Sequence, residues 1–87
     1  CIGDGTVVMH DAFINVETSI GDNCIINSKA LIEHDSKVSN HCHISTNAVI
    51  NGGVTIEEGC FIGSGATTNN SITIKKNSFI KAGSIVK

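Results

Sequence analysis

Three of the four histidines in this 87-residue chain, His34, His41 and His43, lie within ten positions, and one of them stands between two acids in Glu33-His34-Asp35. Histidine is the side chain whose ordinary pKa lies nearest neutrality, so these are the groups able to trade protons there. A carboxylate beside an imidazole orients the ring and raises its basicity, as a general base requires. Asp35 and Glu33 are both placed to do this for His34. A turn position accepts a polar residue for conformational reasons alone, and the two flanking acids are what favour chemistry over that plainer role. His10, in Met9-His10-Asp11, reads as a solvated turn residue. Cys24, Cys42 and Cys60 are spaced eighteen apart. That spacing suits stacked, buried free thiols better than a disulfide, whose side-chain vectors must converge, and it suggests a reducing, cytoplasmic compartment.

The elements that must position these residues follow from a period of six. From Ile2 to Val86 every sixth residue is aliphatic, with Thr68 the one lapse in fifteen positions. Two residues before each of these lies a small one, with Val54 and Ile72 the larger exceptions. Six matches neither a helix nor a heptad, but it holds a short strand plus a turn. The position three after each aliphatic residue is Gly, Asn or Asp in ten of fourteen cases, the residues that reach positive φ most cheaply, so a sharp corner is expected there. Three hexads close a triangular coil of eighteen residues, and the chain is expected to be all-β, a parallel β-helix of about five coils forming a single domain over residues 1–87.

The residue before each aliphatic position faces outward. These residues form three columns: Val7, Ile25, His43, Phe61 and Phe79; Phe13, Leu31, Val49, Thr67 and Ile85; and Ser19, Lys37, Thr55 and Thr73. Two faces are apolar and one is polar. Two different apolar faces on one column predict a heterologous contact that closes into a homotrimer, although packing against another domain of the same protein is the alternative. His43 interrupts an apolar column, either for packing or as part of a site between subunits. His34 and His43 leave different sides of the column and can meet only across a subunit boundary.

A net charge of −2 supplies no basic field for nucleic acid, and no apolar run is long enough to span a membrane. The absence of proline fits a chain in which nearly every amide joins a ladder. Because the first residue is Cys and already lies inside a hexad, the chain is expected to be a segment of a longer protein.

The hexads, the tetrad Ile32-Glu33-His34-Asp35, the segment His43-Ile44-Ser45 and the preceding Ile26-Asn27 together resemble the bacterial hexapeptide-repeat sugar acetyltransferases, the group that includes sialic acid O-acetyltransferase and UDP-N-acetylbacillosamine N-acetyltransferase. The resemblance implies a left-handed β-helix, a homotrimer, and transfer of an acetyl group from acetyl-CoA to a sugar amine or hydroxyl. It implies His34 as the general base, Asp35 as the acid that raises its basicity, and Asn27 with Glu33 at the acceptor. His43 of an adjacent subunit, Gly63, Ser64 and Ser71 would line the acetyl-CoA cleft, with no metal. Family members also carry a preceding α/β sugar-binding domain, to which nothing in this chain corresponds. Two other readings remain open on the residues: a zinc lyase of the carbonic anhydrase kind, which needs three converging imidazoles from His34, His41 and His43, and a noncatalytic oligomerisation scaffold.

Overall fold

The computed structural model describes residues 1–87 and contains fourteen two-residue strands separated by four-residue corners. Every third strand pairs in parallel, giving three sheets around one axis. Sheet I holds β1 (Val7–Val8), β4 (Ile25–Ile26), β7 (His43–Ile44), β10 (Phe61–Ile62) and β13 (Phe79–Ile80). Sheet II holds β2 (Phe13–Ile14), β5 (Leu31–Ile32), β8 (Val49–Ile50), β11 (Thr67–Thr68) and β14 (Ile85–Val86). Sheet III holds β3 (Ser19–Ile20), β6 (Lys37–Val38), β9 (Thr55–Ile56) and β12 (Thr73–Ile74), and Ile2 bridges to Ile20 at its end. Partner residues are eighteen apart throughout, so the outward columns read from the sequence are the columns of the fold. No helix is long and apolar enough to cross a membrane.

The corners turn where the sequence requires. All fourteen residues three after an aliphatic position have positive φ: five are glycines, and the other nine lie between 55° and 61°. Three of those nine, Glu17, Lys29 and Ser71, are not residues that favour this region. Each costs roughly 1 kcal/mol of backbone strain that the stacked ladders above and below must offset.

The aliphatic track fills the bore. Ile26, Ile32, Ile44, Ile50, Ile56 and Ile62 are completely buried, each contributing about 1.5–3 kcal/mol of transfer free energy. On the outside, Phe79 is 71% exposed and Ile85 69%, and Val7, Phe13 and Ile25 are also exposed, so sheets I and II both present apolar surface to solvent.

The small track differs from corner to corner. After sheet I it is Ala12, Ala30, Ala48 and Ala66, which carry no hydrogen-bonding side-chain group, with Ser84 at the last coil. After sheet III it is Thr6, Cys24, Cys42, Cys60 and Ser78, and the first four each donate to a carbonyl one coil on: Thr6 Oγ1 to Gly21, Cys24 Sγ to Ser39 at 3.0 Å, Cys42 Sγ to Glu57 at 3.2 Å and Cys60 Sγ to Lys75 at 3.1 Å. The three inner thiols are free and buried, and they also cap corner carbonyls, a role that spacing alone did not show. Burial, opposed in part by a hydrogen bond from the Cys60 amide, pushes the Cys42 thiol up to about 11.

Thr68, the lapse in the aliphatic track, is fully buried. At every other coil of this corner the amide after the aliphatic residue donates to a backbone carbonyl one coil on, as Glu33 does to Ile50 at 2.8 Å and Asn69 to Val86 at 2.8 Å. Here the Asn51 amide donates to Thr68 Oγ1 at 3.1 Å, and the Asn51 side-chain Nδ2 donates to the Thr68 carbonyl at 2.6 Å. One backbone rung is exchanged for two bonds through side chains, and the β8–β11 register retains only the Val49–Thr67 pair.

Candidate active site

His34 stands on the corner that follows sheet II. Residues 15–18, 33–36, 51–54 and 69–72 stack there at eighteen-residue intervals. Its backbone is fixed from below: the Gly53 amide donates to the His34 carbonyl at 3.0 Å. The neighbouring Asp35 amide donates to the Val16 carbonyl at 3.1 Å. Asp35 has φ 59°, and the left-handed turn swings its carboxylate back toward the ring. His34 Nδ1 lies 3.1 Å from Asp35 Oδ2, with the two side chains 57% and 64% exposed. With Nδ1 as the donor, Nε2 carries the free lone pair, the tautomer able to accept a proton.

Of the two acids flanking His34, Asp35 is therefore the one that orients it. Glu33 turns the other way, and its Oε1 accepts a hydrogen bond from Asn15 Nδ2 at 2.8 Å. Thr18 Oγ1 donates to the Glu33 carbonyl at 2.9 Å. Asn15 was not singled out by the sequence reading, yet counting back eighteen residues from Glu33 finds it. Counting forward eighteen from His34 finds Gly52, over which the imidazole lies. A Cβ at Gly52 would stand 2.7 Å from His34 Cε1, 2.8 Å from Nε2 and 3.3 Å from Nδ1.

The other residues singled out from the sequence fall elsewhere on the perimeter. Ser71 shares the His34 corner, two coils on from Asp35, and is exposed. Asn27, Gly63 and Ser64 share the corner after sheet I, at the opposite edge of sheet II. Asn27 Oδ1 accepts from the Ser28 amide at 2.7 Å, and a Cβ at Gly63 would overlap the Ile80–Ala82 backbone, so that glycine permits close stacking of coils. His43 lies on sheet I between Ile25 and Phe61, its ring centroid 5.1 Å from that of Phe61 in an edge-on arrangement. Its Nε2 is buried and has no hydrogen-bond partner within the chain. His41 is exposed on the corner after sheet III. The three histidines thus occupy three different parts of the perimeter, and no group of three His, Cys, Asp or Glu side chains converges within one chain.

Two shallow depressions mark the column surface, one along sheet III and the corner after it, where Lys37, Glu57, Glu58 and Lys76 are found, and one on that corner alone, where His41 is found. Neither contains His34 or His43, and the His34–Asp35 pair lies on an exposed corner of the single chain.

Residues 35–70 match the family model of the bacterial transferase hexapeptide (six repeats). The match takes in 36 of the 87 residues, and the parallel coils of hexads continue the same pattern over the rest of the chain. Among solved structures, the acetyltransferase domain of PglB from Neisseria gonorrhoeae FA1090 in complex with acetyl coenzyme A is similar over 98% of this chain, with a TM-score of 0.92 and 29% identity. A second structure of the same domain is similar over 95% of the chain, with a TM-score of 0.75 and 25% identity. This chain covers 44% and 46% of those two chains, so it spans less than half of their length. No curated protein matches it in sequence.

Proposed function

We propose that this chain is the β-helical part of an acyltransferase that moves an acetyl group from acetyl-CoA to an amine or hydroxyl of a sugar, with His34 as general base. The observation that carries the reading is the Asp35-oriented imidazole of His34, exposed on the edge of a solid column. Similarity to an acetyltransferase domain solved with acetyl coenzyme A supports the reaction class and the donor.

In this mechanism Nε2 of His34 takes the proton from the acceptor nitrogen or oxygen as that atom bonds to the thioester carbonyl carbon. The tetrahedral oxyanion is held by a backbone N–H or a polar side chain at the seam between subunits, and its collapse expels the CoA thiolate. No acyl-enzyme is required. Cys24, Cys42 and Cys60 point inward, and no histidine pairs with an outward serine or cysteine.

Asn27 and Glu33 are assigned to the acceptor, and His43, Gly63, Ser64 and Ser71 to acetyl-CoA. Because His34 and His43 lie on different sides of one column, the site is assembled between copies, and a homotrimer closing through the apolar faces of sheets I and II provides the seam. A preceding α/β domain in the full protein supplies the rest of the sugar site. Three buried free thiols fit a cytoplasmic setting. The acceptor class runs from sialic acid to nucleotide-linked amino sugars. The test is release of CoA thiol by the full-length protein with acetyl-CoA and a panel of such acceptors. Release that depends on acceptor supports the reading, and none above buffer hydrolysis with any of them overturns it.

A further inference from the structure

The three departures from the hexad tracks all border the His34 corner. Val54 and Ile72 are bulky where the track is small, and both belong to the corner stack that carries His34. Thr68 replaces an aliphatic residue in the strand of sheet II that stacks beneath β8, just before the Asn51-Gly52 turn. A column optimised only for packing has no reason to confine its irregularities to one corner.

Their consequence is local. The Asn51–Thr68 exchange removes one backbone rung at the residue immediately before Gly52. Ser36 Oγ also donates to the Asn51 carbonyl at 3.0 Å, so Asn51 is held through its amide, side chain and carbonyl. Gly52 is buried, and its own carbonyl accepts from the Ser71 amide at 2.9 Å. Its φ is not in the left-handed region, so glycine is not needed there to make the turn. What requires glycine is the space above it, filled by three atoms of the His34 ring.

The geometry points to Gly52, with its carrying turn set by the Asn51–Thr68 exchange, as the platform that fixes the tilt of the His34 imidazole while Asp35 fixes its rotation. These are positioning residues that act through His34, and their effect on rate rests on the acetyl-transfer reading above. A methyl group at position 52 leaves the ring no room in its present orientation. A valine at position 68 keeps the shape and burial of Thr68 but removes the hydroxyl, leaving the Asn51 amide to revert to the ordinary rung and shifting the turn beneath the ring.

The test uses the full-length protein carrying Gly52→Ala, Thr68→Val or Thr68→Ser. For Gly52→Ala and Thr68→Val, kcat should fall about tenfold or more with KM for acetyl-CoA unchanged, the split expected when a reacting group is mis-aimed and donor binding is untouched. Thr68→Ser, which keeps the hydroxyl, should restore kcat to within about twofold. Imidazole nitrogen chemical shifts of His34 give a readout independent of turnover, and they should move in Gly52→Ala and Thr68→Val but hold in Thr68→Ser. Unchanged His34 shifts in folded Gly52→Ala and Thr68→Val overturn the platform. So does an equal loss of kcat in Thr68→Ser and Thr68→Val. If the unmodified protein transfers no acetyl group, the functional reading fails and the nitrogen shifts alone decide whether the platform exists.

Discussion

Asp35 does two things for His34: its Oδ2 lies 3.1 Å from Nδ1 of the ring, and its left-handed backbone, at φ 59°, makes the turn that brings the two side chains together. Substitutions separate these roles. Asparagine tolerates positive φ and still offers an oxygen to Nδ1, but it cannot stabilise the charged ring that the proposed proton transfer would form. Asp35→Asn should therefore lower kcat by about tenfold or more with little change in Tm. Asp35→Ala should lose both the activity and about 1 kcal/mol of stability, because alanine pays the left-handed strain without a compensating side chain. Steady-state kinetics alongside thermal melts of the two variants checks this.

His43 Nε2 is buried without a partner in the single column, which costs about 1–3 kcal/mol relative to a satisfied group. His43→Phe extends the Phe61–Phe79 stack, in which ring centroids are 5.1 Å apart, and removes the unpaired nitrogen. It is expected to leave the melting temperature unchanged or higher while raising KM for acetyl-CoA about tenfold or more, since the imidazole is assigned to the donor. A lower Tm together with an unchanged KM would place His43 in packing alone.

The apolar faces make an oligomer measurable. Light scattering from the full-length protein should give the mass of three chains. The double variant Phe79→Asp, Ile85→Asp puts charge on two surfaces that are exposed in the column, and it should shift the mass toward one chain while the β-rich circular dichroism persists. Activity should fall with the trimer population if the site lies in the seam.

Cys42 links stability to alkaline pH. Its folded pKa is raised from 9.0 to about 11, chiefly by burial, so the neutral thiol is the form the column holds. The associated stability is fully present below pH 9 and is lost as pH rises from about 9 through about 11, when the unfolded chain ionises first. At about 1.4 kcal/mol per pKa unit the loss is of order 2–3 kcal/mol. Denaturant titrations at pH 8 and near pH 11 should show that difference in the unmodified protein and a smaller one in Cys42→Ala.

The hexad register made the architecture legible because a period of six maps each residue onto one face or corner. The fourteen left-handed corners and the three outward columns stand where the pattern puts them. What the local pattern left open is set by contacts between coils. Whether His34 turns to Asp35 or to Glu33 depends on Asn15, which holds Glu33 away, and on Gly52, which makes room for the ring. The role of Thr68 was hidden for the same reason: its partner, Asn51, is seventeen residues away, so the substitution looks like a lapse in a track until the two coils are stacked. The eighteen-residue spacing places the cysteines as buried free thiols, and only the stacking of coils brings each thiol to a carbonyl fifteen residues on.

The proposed proton transfer to the His34 imidazole is tested most directly by the single-turnover rate of acetyl transfer by the full-length protein with His34→Ala, beside the unmodified protein at saturating acetyl-CoA. A fall of about 10² to 10⁴, in a protein with the same melting temperature, is the result expected from loss of a general base. Transfer at an undiminished rate would contradict it and leave the column as a scaffold for chemistry carried elsewhere.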